Sequence, residues 1–137
     1  MNKYLKTLEL DKILQMLASH ASNAETRRMA LELRPDNDLE RVRYECLKTS
    51  QALELSVQYG TPPFSDFKDV TSSAARAASG AVISLRDLMD IAAMLRQIKG
   101  LADWYAHCEN AETELSYLFS RLQPNEWLLE KLERSII

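Results

Sequence analysis

The chain reads as all-α: an irregular bundle of six or seven helices, two of them long. Three observations predict this. Apolar side chains recur at steps of three and four along most of the 137 residues, the period of a helix with one buried face. Only three glycines and four prolines interrupt those runs. Residues that start helices stand just ahead of several of them.

The first ten residues are the weakest part of the pattern. Leu5, Leu8 and Leu10 alternate loosely, and from Met1 to Leu10 a short strand is a poor but open reading. Residues 11–21 form a clearer helix, with Ile13, Leu14, Leu17, Ala18 and Ala21 on one stripe. Ser22 and Glu25 have capping-box spacing ahead of a helix over 23–33, with Met29, Ala30 and Leu33 inward. Pro35 ends it, because a proline pushes the preceding residue out of helical angles.

The next helix, 39–59, is the organising element. Leu39, Val42, Cys46, Leu53 and Val57 make its stripe, interrupted by Thr49 and Ser50. Asn37 and Glu40 suggest its cap. Such a helix is expected to bury that stripe, with Cys46 as a small core residue. Gly60-Thr61-Pro62-Pro63 is the strongest break, and Phe64 and Phe67 are expected to drop from it onto the core.

A helix over 66–78 with a slim alanine face follows, ending at Gly80. Ser84 and Asp87 then cap a second long helix, 85–107, phased on Leu88, Ile91, Ala92, Leu95, Ile98 and Ala102. Gly100 inside it marks a bend or a close crossing. The two long helices are expected to touch. Helices over 110–122 and 126–137 complete the set, divided at Pro124. The apolar end, Ile136-Ile137, is expected of a fragment, so residues 1–137 read as one helical domain of a longer protein.

Charge and composition exclude several classes. Residues 1–60 hold nine basic and nine acidic side chains; residues 61–137 hold eight and eleven. Neither half has the cationic excess of a small module that grips nucleic acid unaided. No apolar run reaches the length of a membrane span, and no signal-type core opens the chain. Two cysteines make no disulfide framework. A cytoplasmic protein without membrane contact is expected.

No catalytic, cofactor or metal site is expected. His107 and Cys108 are neighbours and point about 100° apart on a helix, and with His20 and Cys46 they match no zinc spacing. No glycine-rich loop cradles phosphate. Asp66/Asp69 and Asp87/Asp90 pair at i,i+3, which suits a divalent ion or acid–base work but suits caps and surface charge better. Arg27, Arg28, Arg34, Arg41 and Arg43 are the candidates for phosphate contact, although interspersed carboxylates favour pairing within the chain. Trp104, Tyr105 and Trp127 fit either a core edge or an interface. Trp127, Leu128, Leu132 and Ile136 are the candidate surface for self-association, most simply as a two-fold dimer. The plainer reading folds the last helix back onto Leu115, Leu118 and Phe119 and leaves a monomer.

An ordered set of segments resembles the type-two branch of the MutS family, the Smr-containing branch linked to suppression of recombination. It begins with Leu8-Glu9-Leu10-Asp11-Lys12-Ile13-Leu14 and continues through Leu31-Glu32-Leu33-Arg34-Pro35 and Leu39-Glu40-Arg41-Val42. Thr49 to Leu55, the Pro62-Pro63 loop, Asp69-Val70 and Gly80 to Leu88 extend it over nearly the whole chain. One departure is the lack of a glycine near Glu25 or Thr26. The resemblance implies an N-terminal core segment leading into the lever and clamp region. It implies a parent that is a dimeric, DNA-binding ATPase using ATP and Mg, with a small nuclease-like (endonuclease) domain. It also implies action on collided ribosomes, hence rRNA binding. None of the parent's hydrolase residues falls on this chain. A free-standing helical protein-interaction domain is the alternative, and any contact with DNA or ribosome is expected to be weak or indirect.

Overall fold

The computed structural model describes residues 2–136; Met1 and Ile137, included in the end readings above, lie outside the described residues. The described residues are helical, with no strand among them. They divide into two compact units, Met1–Pro35 and Asp36–Ile137.

The first unit holds α1 (Lys3–Thr7), α2 (Leu10–Ser19) and α3 (Ala24–Leu31). The opening residues thus form a short helix rather than a strand. Asn2 starts it by accepting from the Tyr4 amide at 2.8 Å. α2 packs on both its neighbours. Asn23, not Ser22, caps α3: its side chain is buried and accepts from the Thr26 amide at 2.9 Å. Among the described residues of this unit, the buried apolar ones are Leu14, Ala18 and Ala30. Ile13, Leu17, Met29 and Leu33, expected inside, are exposed, because three short helices cannot cover more than one narrow seam.

The second unit holds α4 (Leu39–Tyr59), α5 (Thr71–Ala78), α6 (Leu85–His107), α7 (Ser116–Phe119) and α8 (Glu126–Ile136). The two long helices have the predicted bounds. Among the described residues the count rises to eight through the short α1. Asp38 rather than Asn37 caps α4, accepting from the amides of Glu40 and Arg41. The Ser84–Asp87 box stands as predicted.

Two predicted helices shorten for traceable reasons. Residues 61–70 stay irregular because their polar groups are engaged elsewhere. Ser65 donates its amide to Gln97, and Asp69 accepts from the amide and hydroxyl of Thr71. Glu109 and Asn110 have φ of 57° and 49°, which turns the chain out of helix. The amide of Glu114 then goes to Gln51 of α4, so only Ser116–Phe119 continues as α7.

The expected core of α4 is turned outward. Leu39, Val42, Cys46, Leu53 and Val57 are exposed, and Leu55 is the buried residue, with 5% of its surface accessible. Nor do the two long helices form the main contact. α6 lies chiefly on α8 and also on α7, and α4 approaches it at the C-terminal end, where Trp104 Nε1 donates to the Gly60 carbonyl at 3.2 Å. Gly60 adopts φ 87°, which a side chain would resist.

The irregular 61–70 segment is pinned by one buried amide. Gln97, 5% exposed, accepts from the amide (2.8 Å) and hydroxyl (2.5 Å) of Ser65 and donates to the Pro63 carbonyl (2.9 Å). Gly100, one turn on, lets Pro63 approach; a Cβ there would lie 3.6 Å from Pro63 Cγ. The close crossing expected at Gly100 is therefore with the loop, not with another helix.

Candidate functional site

The second unit holds an apolar groove of about 440 Å3. Leu55 of α4, Pro62 and Phe64 of the loop, Leu101 and Trp104 of α6, and residues from Leu115 to Leu122 line it. Phe64, expected in the core, stays exposed at its lip, while Phe67 is half-buried. Phe119 stacks on Tyr105 with centroids 4.2 Å apart and planes 5° apart, and leans against Trp104 at 5.9 Å. These rings hold the groove wall against α6. The lining carries no carboxylate, amine, imidazole or thiol, so what it offers a ligand is apolar contact.

The carboxylate pairs do not converge on a vacant position. Asp87 accepts from Ser84, from the Ser73 hydroxyl at 2.9 Å and from Arg76 at 3.2 Å. The Ser84 hydroxyl, then Ser73, hold its carboxyl down to about 2. The Asp69 carboxyl is lowered as well, chiefly by the Thr71 hydroxyl. Both are thus committed to local turns and caps. No cluster of three or more His, Cys, Asp or Glu suited to a metal occurs among the described residues. Cys108 is buried, and desolvation pushes its thiol up, away from the reactive thiolate; His107 beside it is exposed.

Each candidate phosphate-binding arginine already has a partner in its own unit. Arg28 is clamped between Glu25 and Glu32, Arg27 donates to the Ala21 carbonyl, and Arg34 to the carbonyls of Leu31 and Leu33. In the second unit Arg41 reaches Asp36 at 2.8 Å and Asp38 at 3.4 Å, and Arg43 reaches Glu40 at 3.6 Å. All these pairs are exposed and contribute little stability, so a phosphate could displace the carboxylates at small cost.

The candidate interface on α8 is divided by the packing. Leu128, Leu132 and Ile136 are half-buried on the helix that packs against α6, and Leu129 is buried. The last helix does fold back, onto α6 rather than onto Leu115, Leu118 and Phe119. Trp127 remains 67% exposed, with Lys131 Nζ 4.8 Å from its ring centroid. Sequence reasoning passed over Gln97, whose signal was a polar amide on the phase of Ala93, Leu101 and Trp104. Trp104 was weighed, but not as the wall of a groove.

The described residues are all-helical, with polar side chains such as Asp87 and Gln97 engaged in caps and joints and with an apolar groove in the second unit. Comparison with known proteins carries the assignment further. The endonuclease MutS2 of Acetivibrio thermocellus is 32% identical over 139 residues, covering 98% of this chain and 17% of its own. MutS2 of Clostridium perfringens is 31% identical over 111 residues, 81% of this chain and 14% of its own. That of Lachnospira eligens is 30% identical over 135 residues, 98% and 17%. The chain is a MutS2-family segment, and it spans about a sixth of the length of these curated relatives. No protein-family model matches it, and no solved structure does so significantly.

Proposed function

We propose that the chain is a non-catalytic helical core segment of a MutS2-type protein, one that supports dimerisation and carries the lever and clamp region while the chemistry resides in other parts. The carrying observation is the alignment of nearly the whole chain with one-sixth of proteins named for endonuclease activity. The commitment of Asp69, Asp87 and the five arginines to internal partners supports the same reading. ATP and Mg would bind other parts of such a protein, in the cytoplasm. DNA or ribosomal RNA would be met weakly by this segment, through exposed arginines such as Arg27, Arg34 and Arg43, after their internal partners are exchanged for phosphate. No helix among the described residues is long and apolar enough to cross a membrane.

The test uses the purified chain. It should neither hydrolyse ATP nor cut DNA, and its duplex binding should be weak and fall steeply between about 50 and 200 mM salt. Turnover abolished by replacing Asp66 and Asp69, or Asp87 and Asp90, would overturn the scaffold reading. So would tight, salt-resistant duplex binding.

A further inference from the structure

The short helix α7 carries a tyrosine whose surroundings suit a negative charge. Tyr117 is 42% exposed. Lys48 of α4 donates from Nζ to its phenolic oxygen at 3.5 Å, and the phenolic proton itself has no acceptor among the described residues. The Arg121 guanidinium lies over the same ring, with Cζ 5.7 Å from the centroid. Arg121 makes no ion pair among the described residues. Two cations from two different elements thus flank one exposed phenol. The single acid beside them is Glu45, 3.0 Å from Lys48 and 61% exposed. It can swing into water when a stronger anion takes its place.

The other tyrosines lack this combination. Tyr105 engages its hydroxyl with the Ala111 carbonyl and Ser116. Tyr4 has the lone cation Lys3 beside it. Tyr44 and Tyr59 belong to the 21-residue α4, which would have to unwind before an enzyme could draw either into extended chain. Tyr117 sits on a single turn, Ser116–Phe119, with turns and irregular chain on both sides. So short a helix opens locally at low cost.

We propose that Tyr117 is a phosphorylation site and that Lys48 and Arg121 bind the phosphate it receives. The reaction is phosphoryl transfer from ATP by a tyrosine kinase. The Tyr117 oxygen attacks the γ-phosphorus, the bond from that phosphorus to the ADP oxygen breaks, ADP leaves, and the phenolic proton passes to a base of the kinase. A phosphate opposite two cations gains charge-assisted hydrogen bonds and orders the segment that carries it. Here that segment is one wall of the apolar groove, through Leu115, Leu118, Phe119 and Leu122. It is now held to α4 by the Glu114 amide on Gln51 and by the long Lys48–Tyr117 bond. Phosphorylation replaces that long bond with a charged one and fastens the groove wall.

The test installs phosphotyrosine at position 117 of the purified chain during synthesis. The phosphorylated chain should melt at least about 3 °C above the unmodified one. Phosphorus NMR should place the second phosphate ionisation below its usual value of about 6, because Lys48 and Arg121 favour the dianion. Replacing both cations, Lys48→Met with Arg121→Met, should remove the gain in Tm and return the ionisation to that value, with helix content unchanged by circular dichroism. Accessibility is read separately. Incubation of the wild-type chain with ATP and a tyrosine kinase of broad specificity, followed by peptide mass spectrometry, should find Tyr117 modified ahead of Tyr44, and Tyr117→Phe should lose most of the label. A phosphorylated chain no more stable than the unmodified one overturns the proposal. So does an ionisation at or above the usual value, a gain that survives loss of both cations, or a kinase that modifies Tyr44 first.

Discussion

Replacing Gln97 with leucine should unfasten the 61–70 segment. The change conserves volume closely, so it creates little cavity and isolates the polar part of the side chain. Three hydrogen bonds go with the amide: two accepted from Ser65 and one donated to Pro63. Each contributes roughly 0.5–1.5 kcal/mol net, more where a buried partner is left without another. Ser65 and Pro63 are exposed residues that water can reach, which places the loss toward the lower end. A destabilisation of about 2 kcal/mol is expected, or a fall in Tm of about 8–16 °C for a unit of this size. Thermal unfolding at 222 nm measures it. Tryptophan emission adds a local reading, because Trp104 bonds to Gly60 at the head of the same loop. Ser65→Ala should cost less, about 0.5–1 kcal/mol, and the two changes should be non-additive because they share bonds. A Gln97→Leu variant within about 0.5 kcal/mol of wild type, or full additivity with Ser65→Ala, would refute the pinning role.

Gly100→Ala should stabilise the chain by about 1 kcal/mol, since its Cβ would meet Pro63 at an ordinary contact distance and helix interiors favour alanine; a lower denaturation midpoint would count against this. Phe119→Leu should cost roughly 1 kcal/mol by removing the stack on Tyr105, visible as a lower Tm, and should leave helix content unchanged. Asp87→Asn should destabilise near neutral pH. The folded carboxyl sits at about 2 against an ordinary 3.8, so the wild-type advantage is full well above 3.8 and fades as pH falls toward 2. A wild-type-minus-variant difference that stays constant from pH 6 to 2 would show that the charge is not what matters.

Helix existence was legible because it depends on local period and punctuation. α4 and α6 end where Gly60 and Cys108 follow, and each starts behind a residue that takes up orphan amides. The failures came where a tertiary bond outcompeted the local pattern. Residues 66–70 carry enough helical phase to continue α5 upstream, yet the Asp69–Thr71 turn starts the helix at Thr71. Residues 110–115 lose their helix to left-handed turns at Glu109 and Asn110 and to the Gln51–Glu114 bond, which spans 63 positions and leaves no local trace. The candidate site divides in the same way. That Asp87 is a cap could be read from Ser84 three residues before it. That it also gathers Ser73 and Arg76 could not, because both lie on α5.

The deeper error concerned direction rather than structure. A period of 3.6 says that a helix has an apolar side; it does not say that its own chain covers that side. α4 has two candidate sides. One contains Leu55 and the partly covered Lys48 and Tyr59, and faces the unit's interior; the other is the Val42–Val57 stripe, stronger in sequence and exposed in the structure. The stronger stripe was naturally read as core. In a free-standing domain that inference usually holds, because uncovered apolar surface is costly. In a segment covering a sixth of its relatives' length, a strong stripe is equally consistent with contacts beyond this chain's own helices.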